Sequence, residues 1–269
     1  MMAIDPATVL ADMVEAAWRA GELTLAHFHR RDELKIGIKG PGDFVSIADE
    51  ESETLIRDHL LTRYPDWSLS GEEFPPVEGV DDTYRFLVDP IDGTTNFLNG
   101  LDYTITIALR RAGETVCGLV YNPVTNEMFT AQKGQGAYLN GKRLAMQDSA
   151  DVGQMVVGTG LPTPNLSMYP GAYGRLDAIR APIGAVRVLG SAANCCAYVA
   201  CGRFSGYFEQ TGFVDTAAGI LLVEEAGGVV TDWWGRGPEH YEKSGLLIVA
   251  NQSTHAFLSK QLQGIDFPD

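Results

Sequence analysis

Cysteine and histidine are scarce in this chain of 269 residues, which has four of the first (Cys117, Cys195, Cys196, Cys201) and five of the second. No two cysteines form a CxxC pair and no histidine stands at zinc-finger spacing, which argues against a structural zinc site or a disulfide framework. The cysteines are expected to serve as small buried hydrophobes in a reducing compartment. No apolar run approaches the ~18 residues a membrane span needs. The opening MMAIDPATVL lacks a basic stretch followed by an apolar one, so no secretory leader is expected, and a soluble cytoplasmic protein is. Positive charge is also in short supply: 20 Lys and Arg face 35 Asp and Glu, a formal net charge of −15. Such a surface repels phosphate backbones and argues against nucleic acid as a partner. It repels a phosphorylated small molecule too, unless bound divalent cations supply positive charge locally.

What is present is an ordinary globular composition, 45% hydrophobic and 20% charged. A long helix is expected over 5–30, with Asp5 as cap, Pro6 in the first turn, and Val9, Met13, Ala17, Ala20 and Leu23 on one face. A strand over 33–38 and a KGPGD loop over 39–43 follow, then a helix from Asp49 to about Arg63. Strands are read at Arg85–Asp89, Thr104–Leu109, Thr115–Tyr121 and Glu127–Ala131, with Ile105, Ile107 and Leu109 on one side. Asn140-Gly141 marks a hairpin, and Gly134-Gln135-Gly136 before it is read as hairpin, not as a nucleotide loop. Beyond residue 150 the pattern gives a strand at 155–159, loop over 160–174, a strand at 186–189 and a helix of small residues over 191–201. A strand at 205–209 and a helix over 215–226 follow, the latter capped by Asp215 and ended by Gly227-Gly228. Loop is expected over 233–245, then a last strand and helix. The mixture predicts a layered α/β domain spanning 1–269, with subdomains of roughly 1–148 and 149–269.

The most informative stretch is Asp89-Pro90-Ile91-Asp92-Gly93-Thr94-Thr95-Asn96-Phe97. A turn through Pro90 can aim Asp89 and Asp92 at one place. Gly93 allows close approach of backbone to a ligand, and the N–H groups of Gly93, Thr94 and Thr95 would open a helix suited to phosphate. Taken alone, DPxDG is also a plain turn, Glu72 in Gly71-Glu72-Glu73 a solvated loop acid, and Asp49 and Asp215 helix caps. Converging carboxylates would repel one another and call for cations, and an all-oxygen set favours magnesium, manganese or calcium over zinc.

These residues, in this order, resemble the inositol monophosphatase family. The matching pieces are Asp43–Asp49, Gly71-Glu72-Glu73, Asp89–Phe97, Gly134–Gly141, Gly190-Ser191-Ala192-Ala193, and Asp215 through Glu225-Ala226-Gly227-Gly228. The resemblance implies a layered αβαβα sandwich of the sugar-phosphatase type, commonly a homodimer, inhibited by lithium. It implies two magnesium ions: one held by Glu72, Asp89 and the carbonyl of Ile91, the other by Asp89, Asp92 and Asp215. A third, weaker ion would touch Glu72. It further implies an Asp49–Thr94 couple that, with Glu72 as the other acceptor, takes the proton of a water attacking a phosphate ester. Val214 stands where the family usually has Trp, which changes the neighbouring substrate wall.

For the substrate, the resemblance points to Glu209 as acceptor for polyol hydroxyls, with Gly190, Ser191 and Ala192 lining the same wall, and to inositol 1-phosphate. In isolation Glu209 would merely end a strand. Histidinol phosphate is the close alternative, because Glu209 could equally pair with an ammonium group. A fructose-1,6-bisphosphatase type of relative is another, with Arg187 a possible second contact. A different class of function also stands open, a regulator or scaffold that keeps the fold without turnover.

Overall fold

The computed structural model describes residues 5–34, 36–40, 43–161 and 172–263. Helix α1, Pro6–Phe28, begins as its sequence dictates: Asp5 accepts the Ala7 N–H at 3.1 Å and Pro6 fills the first turn. β1 (Ile36–Gly40) and β2 (Asp43–Ser46) pair antiparallel. The strand expected over 33–38 therefore sits later, Arg31–Glu33 being a turn of 3₁₀ helix. Residues 41 and 42 of the KGPGD segment lie outside the described residues. Helix α2, Ile47–Arg63, starts two residues before Asp49. Ser46 is its cap, and Asp49, at the third helical position, reaches back to the Ser46 N–H at 2.8 Å.

Seven strands then follow one another across a single sheet in sequence order. They are β3 (Trp67–Gly71), β4 (Asp81–Asp92), β5 (Thr104–Arg111), β6 (Glu114–Asn122), β7 (Glu127–Gln132), β8 (Gly136–Leu139) and β9 (Lys142–Arg143). A five-residue helix, α3 (Thr94–Leu98), interrupts the run after β4. Side-chain alternation divides the sheet between two cores. Phe86, Val88, Ile105, Ile107, Leu109 and Leu119 pack on α1 and α2, while Leu87, Ala108, Val120, Phe129 and Ala131 face the other way. Asn140 (φ 48°) and Gly141 (φ 77°) turn the chain between β8 and β9, as the two positive φ angles of a type I′ hairpin require. Gly134 lies in the β7–β8 turn and Gly136 opens β8, both N–H groups on the Glu225 carboxylate at 2.7 Å, so this segment is hairpin.

A second sheet of five strands has the order β11-β10-β12-β14-β13. Its members are β10 (Val156–Thr159), β11 (Ala185–Val188), β12 (Gly206–Gln210), β13 (Val229–Thr231) and β14 (Leu246–Ala250). Helices α5 (Ala192–Ala200) and α6 (Phe213–Glu225) lie between the sheets, packed on Leu87, Ala108 and Val120 from one and Tyr207, Leu247 and Val249 from the other. Helices α4 (Ala172–Arg180) and α8 (Gln252–Gln263) cover the far face, where Ile179, Leu258 and Leu262 meet Val157, Phe208 and Ile248. The layers thus run helix, sheet, helix, sheet, helix, an αβαβα sandwich.

Two loop expectations change. Residues 162–171 of the segment read as loop over 160–174 lie outside the described residues, and 172–174 are already helical, the start of α4. The stretch 233–245 contains α7 (Pro238–Ser244), with Pro238 in its first turn, a helix-start signal passed over among the glycines.

Candidate active site

The carboxylates at the end of β4 owe their common direction to a bulge. Asp89 pairs with Thr106 and Asp92 with Thr104, so three steps on β4 span two on β5. In a regular strand residues three apart point to opposite faces; the extra residue cancels that, and Asp89 and Asp92 share one face. It is the face of Thr104, Thr106 and Ala108, turned toward α5 and α6. Asp89 is 2% exposed, and its Oδ1 accepts the Ile91 N–H at 2.9 Å. Gly93 follows at φ +97°, in the left-handed region, where a Cβ would stand 2.9 Å from the Gly190 carbonyl oxygen, so only glycine fits without displacement. The Thr94 hydroxyl lies 3.1 Å from Asp49 Oδ1 and 3.3 Å from the Ile91 carbonyl. Asp49 is buried, and its Oδ2 takes the Ser46 N–H and hydroxyl at 2.8 and 2.6 Å. Burial raises the Asp49 carboxyl above the usual carboxylate range, against the pull of these hydrogen bonds.

Asp92 ties the first sheet to α5 of the middle layer. Its carboxylate accepts the Thr104 hydroxyl at 3.0 Å, the Ser191 hydroxyl at 2.5 Å, and the Ala192 and Ala193 N–H groups at 3.2 and 2.9 Å. Ser191 caps α5, so a negative side chain of one sheet sits on the helix N-terminus of the middle layer. Gly190, at φ +70°, carries the chain into that cap, and Asn96 holds the preceding residue through the Leu189 carbonyl at 2.6 Å. Asp215 is the third residue of α6, not its cap; Gly212 is the cap, and the Thr211 hydroxyl donates to Asp215 at 3.3 Å. Glu72 follows the end of β3 and shares a hydrogen bond with Asp89. Thr95 is exposed, its carbonyl taken by Asn99 Nδ2 at 2.7 Å.

The electrostatics bind these pieces into one group. Burial pushes the Asp89 carboxyl well above the usual range, and the negative charges of Glu72, Asp215 and Asp92 push it further. Burial also raises Asp215, seconded by Asp92 and Glu72. Asp92 is raised by burial and eased down by its bonds to Ser191, Thr104, Ala193 and Ala192. Among the largest influences on these three, no Lys, Arg or His of the described residues figures. Buried carboxylates that repel one another suit a hard divalent cation, and magnesium takes oxygen donors of this kind.

The four carboxylates do not close to the tightest spacing. Among the described residues, the trio whose ligand atoms all lie within 4.8 Å of one another is Asp12, Glu15 and His59, on α1 and α2. That trio is an ion-pair network instead. Arg63 lies 3.1 Å from Asp12 and 3.3 Å from Glu15. Arg19, which can only donate, lies 3.0 Å from His59 Nδ1, so Nε2 carries the proton and offers no lone pair to a cation.

Glu209, at the end of β12, accepts the Tyr207 hydroxyl at 2.6 Å, and burial pushes its carboxyl up to about 7, with Asp92 adding to the rise. A Cβ at Gly160 would stand 1.8 Å from Glu209 Oε1, so the glycine makes room for the carboxylate. Ala192 is 7% exposed, and Val214 packs against the middle-layer core. Arg187 is exposed on β11, its guanidinium on the Val186 carbonyl. The sequence reading passed over Ser46, Thr104, Asn96 and Tyr207. Ser46-x-x-Asp49 carried a signal, the capping-box spacing, and Tyr207 stands two residues from Glu209 on one strand face. Thr104 and Asn96 had none, because their partners lie on other elements.

A sequence model of the inositol monophosphatase family matches residues 5–266. An inositol-1-monophosphatase of Rhizobium meliloti (strain 1021) is 38% identical over 253 residues, covering 93% of this chain and 94% of that protein. Nus factor SuhB of Pasteurella multocida (strain Pm70) is 38% identical over 239 residues, covering 88% of this chain and 89% of its own. A crystal structure of extragenic suppressor protein suhB from Bartonella henselae superposes with a TM-score of 0.91 at 36% identity, covering 96% of this chain and all 100% of that one.

Proposed function

The chain belongs to the inositol monophosphatase family, and on that premise we propose that it hydrolyses a small polyol monophosphate, inositol 1-phosphate first, to the polyol and inorganic phosphate with magnesium. The observation that carries this is the mutually repelling set Glu72, Asp89, Asp92 and Asp215, with Asp89 and Asp92 buried at its centre, beside the turn at Gly93 and Thr94. In this reading Glu72, Asp89 and the Ile91 carbonyl would hold one ion, Asp89, Asp92 and Asp215 a second, and Glu72 would touch a weaker third. Bound magnesium would acidify water and neutralise charge on the departing oxygen.

The chain's own residues do the rest. Thr94 hands its proton to Asp49 Oδ1, 3.1 Å away, as it receives one from the attacking water. Burial of Asp49 favours that uptake. Glu72 is the alternative acceptor. N–H groups of Gly93, Thr94 and Thr95 hold phosphate oxygens as charge moves through the in-line displacement. Glu209, with Gly190, Ser191 and Ala192, forms the wall that meets the polyol hydroxyls. The same carboxylate suits the ammonium of histidinol phosphate, the alternative substrate.

Asp89→Asn should abolish phosphate release, a loss of at least about a thousandfold in kcat, with an unchanged circular dichroism spectrum. Near-normal turnover would remove Asp89 from its bridging role. A panel of inositol 1-phosphate, histidinol phosphate and fructose 1,6-bisphosphate decides the substrate. A tenfold lead in kcat/KM for histidinol phosphate, about 1.4 kcal/mol, would overturn the inositol assignment. The second reading, binding without turnover, draws on relatives named Nus factor, which is what that Pasteurella protein is called. It requires that no phosphomonoester in the panel be hydrolysed with magnesium present. A homodimer in the cytoplasm belongs to the same proposal, and sedimentation checks the assembly.

A further inference from the structure

Asp49, Glu53 and Arg57 stand one helical turn apart along α2, and each reaches a different part of the site. Asp49 meets Thr94, as described. Glu53 and Arg57 form a buried pair, with Arg57 Nη2 2.6 Å from Glu53 Oε1 and Nε 2.7 Å from the same oxygen. Glu53 is 0% exposed and Arg57 9%. Neither contacts a substrate in the mechanism above, and nothing in the reaction uses their charge.

Their partners are the residues around Glu72. Glu53 Oε2 accepts the Glu73 N–H at 2.7 Å, and Oε1 accepts the Phe74 N–H at 3.3 Å. On the other side of Glu72, a Cβ at Gly71 would stand 2.1 Å from Glu53 Oε1, so the carboxylate rests directly against that glycine. Arg57 completes the hold, with Nη2 on the Phe74 carbonyl at 3.0 Å and Nη1 on the Pro75 carbonyl at 3.1 Å. Its guanidinium carbon lies 5.7 Å from the centre of the Phe74 ring. One charge pair therefore grips residues 71, 73, 74 and 75, and Glu72, in the middle, is the member that shares a hydrogen bond with Asp89.

We propose that Glu53, braced by Arg57, is the positioning residue that aims Glu72 at its cation. The proposal rests on the reading of Glu72 as a magnesium ligand. Stability alone is a poor reason for such a pair, because well-packed apolar residues commonly replace a buried ion pair at no cost. Ligand geometry is a better one: a metal-binding carboxylate must be held within about 0.5 Å, and the backbone of an irregular loop does not hold itself. α2 supplies the rigid reference, and the same helix fixes Asp49, so the proton acceptor and the metal ligand are set from one rod.

The test compares Glu53→Gln, Gly71→Ala and Arg57→Lys with the wild-type protein. Glu53→Gln keeps the shape but puts an amide N–H against one of the donors it must satisfy. Gly71→Ala leaves the pair chemically intact and pushes the loop off it. Arg57→Lys keeps the charge and loses the fork. Magnesium affinity is read by calorimetry without substrate, and hydrogen exchange reads the Glu73 and Phe74 amides. Glu53→Gln and Gly71→Ala should weaken magnesium about tenfold to a hundredfold, the range for partners that orient a metal ligand. Arg57→Lys should act in the same direction by less. At saturating magnesium, kcat should recover to within about threefold and the substrate KM should stay put. A merely structural role would lower the melting temperature and leave the magnesium constant alone. Folded Glu53→Gln and Gly71→Ala proteins that bind magnesium within twofold of a binding wild type would overturn the proposal. A wild-type chain that binds no magnesium would instead overturn the reading of Glu72 on which it stands.

Discussion

Glu209 gathers in one side chain the conflict that runs through the site. The Tyr207 hydroxyl at 2.6 Å favours its charged form, yet burial outweighs that bond and carries the carboxyl from its ordinary 4.5 to about 7. A carboxyl raised on folding stabilises the fold fully below its unfolded value and loses that contribution as pH climbs through the folded one. Measured in chelator, wild-type stability relative to Glu209→Gln should therefore fall between about pH 5 and pH 8, by about 1–3 kcal/mol. Urea denaturation of both proteins at the two ends of that window is the measurement, and parallel pH profiles would remove the claim. Asp89 and Asp92 show how far single residues are readable. Their types and spacing marked them as a pair aimed at one place. The device that aims them, an extra residue against β5, depends on pairing with Thr104 and Thr106 and could not be seen locally.

At the scale of elements, α2 is the part whose beginning matters most. Ser46 caps the helix and at the same time holds Asp49 by two bonds, so local helix chemistry and the proposed proton acceptor are the same interaction. Ser46→Ala should cost about 1 kcal/mol of stability, the usual value of a lost cap. It should also lower kcat several-fold while KM holds, because Asp49 keeps the backbone N–H but loses the hydroxyl. Chemical denaturation and steady-state phosphate release check the two halves; an unchanged kcat would separate the cap from the chemistry. Periodicity placed α1, α2, α5, α6 and most strands within a residue or two, with Asp5, Pro6 and the Asn140-Gly141 turn acting as local punctuation, while α4 and α7 were missed. The starts of α2 and α6 were displaced because an acidic residue in a first turn looks the same at the cap as three positions on, and only backbone geometry distinguishes them.

For the molecule as a whole, the site depends on how thin the middle layer is. Gly118 of β6 lies so close to α6 that a Cβ would meet the Ala218 carbonyl oxygen at 2.9 Å, and a Cβ at Gly219 would stand 2.4 Å from Cys196 Cβ on α5. Small residues thus let α5 and α6 sit down on the first sheet, bringing Ser191 against Asp92 and Asp215 into the same electrostatic group. Gly118→Val should lift α6, cost about 1–3 kcal/mol by overpacking, and weaken magnesium at the site proposed for Asp92 and Asp215. Thermal unfolding with and without magnesium checks both, and a full magnesium-induced rise in melting temperature would show that α6 had not moved. By itself the sequence determined most of the helices and strands, the hairpins and the identity of the acidic motifs, because these rest on propensity, alternation and turn chemistry within a few residues. The layer order, the bulge that aligns Asp89 with Asp92, the Asp92 bond to α5 and the grip of Glu53 on the Glu72 loop were decided only in three dimensions, because each is a contact between residues far apart in the chain whose favourable energy exists only once both elements have packed.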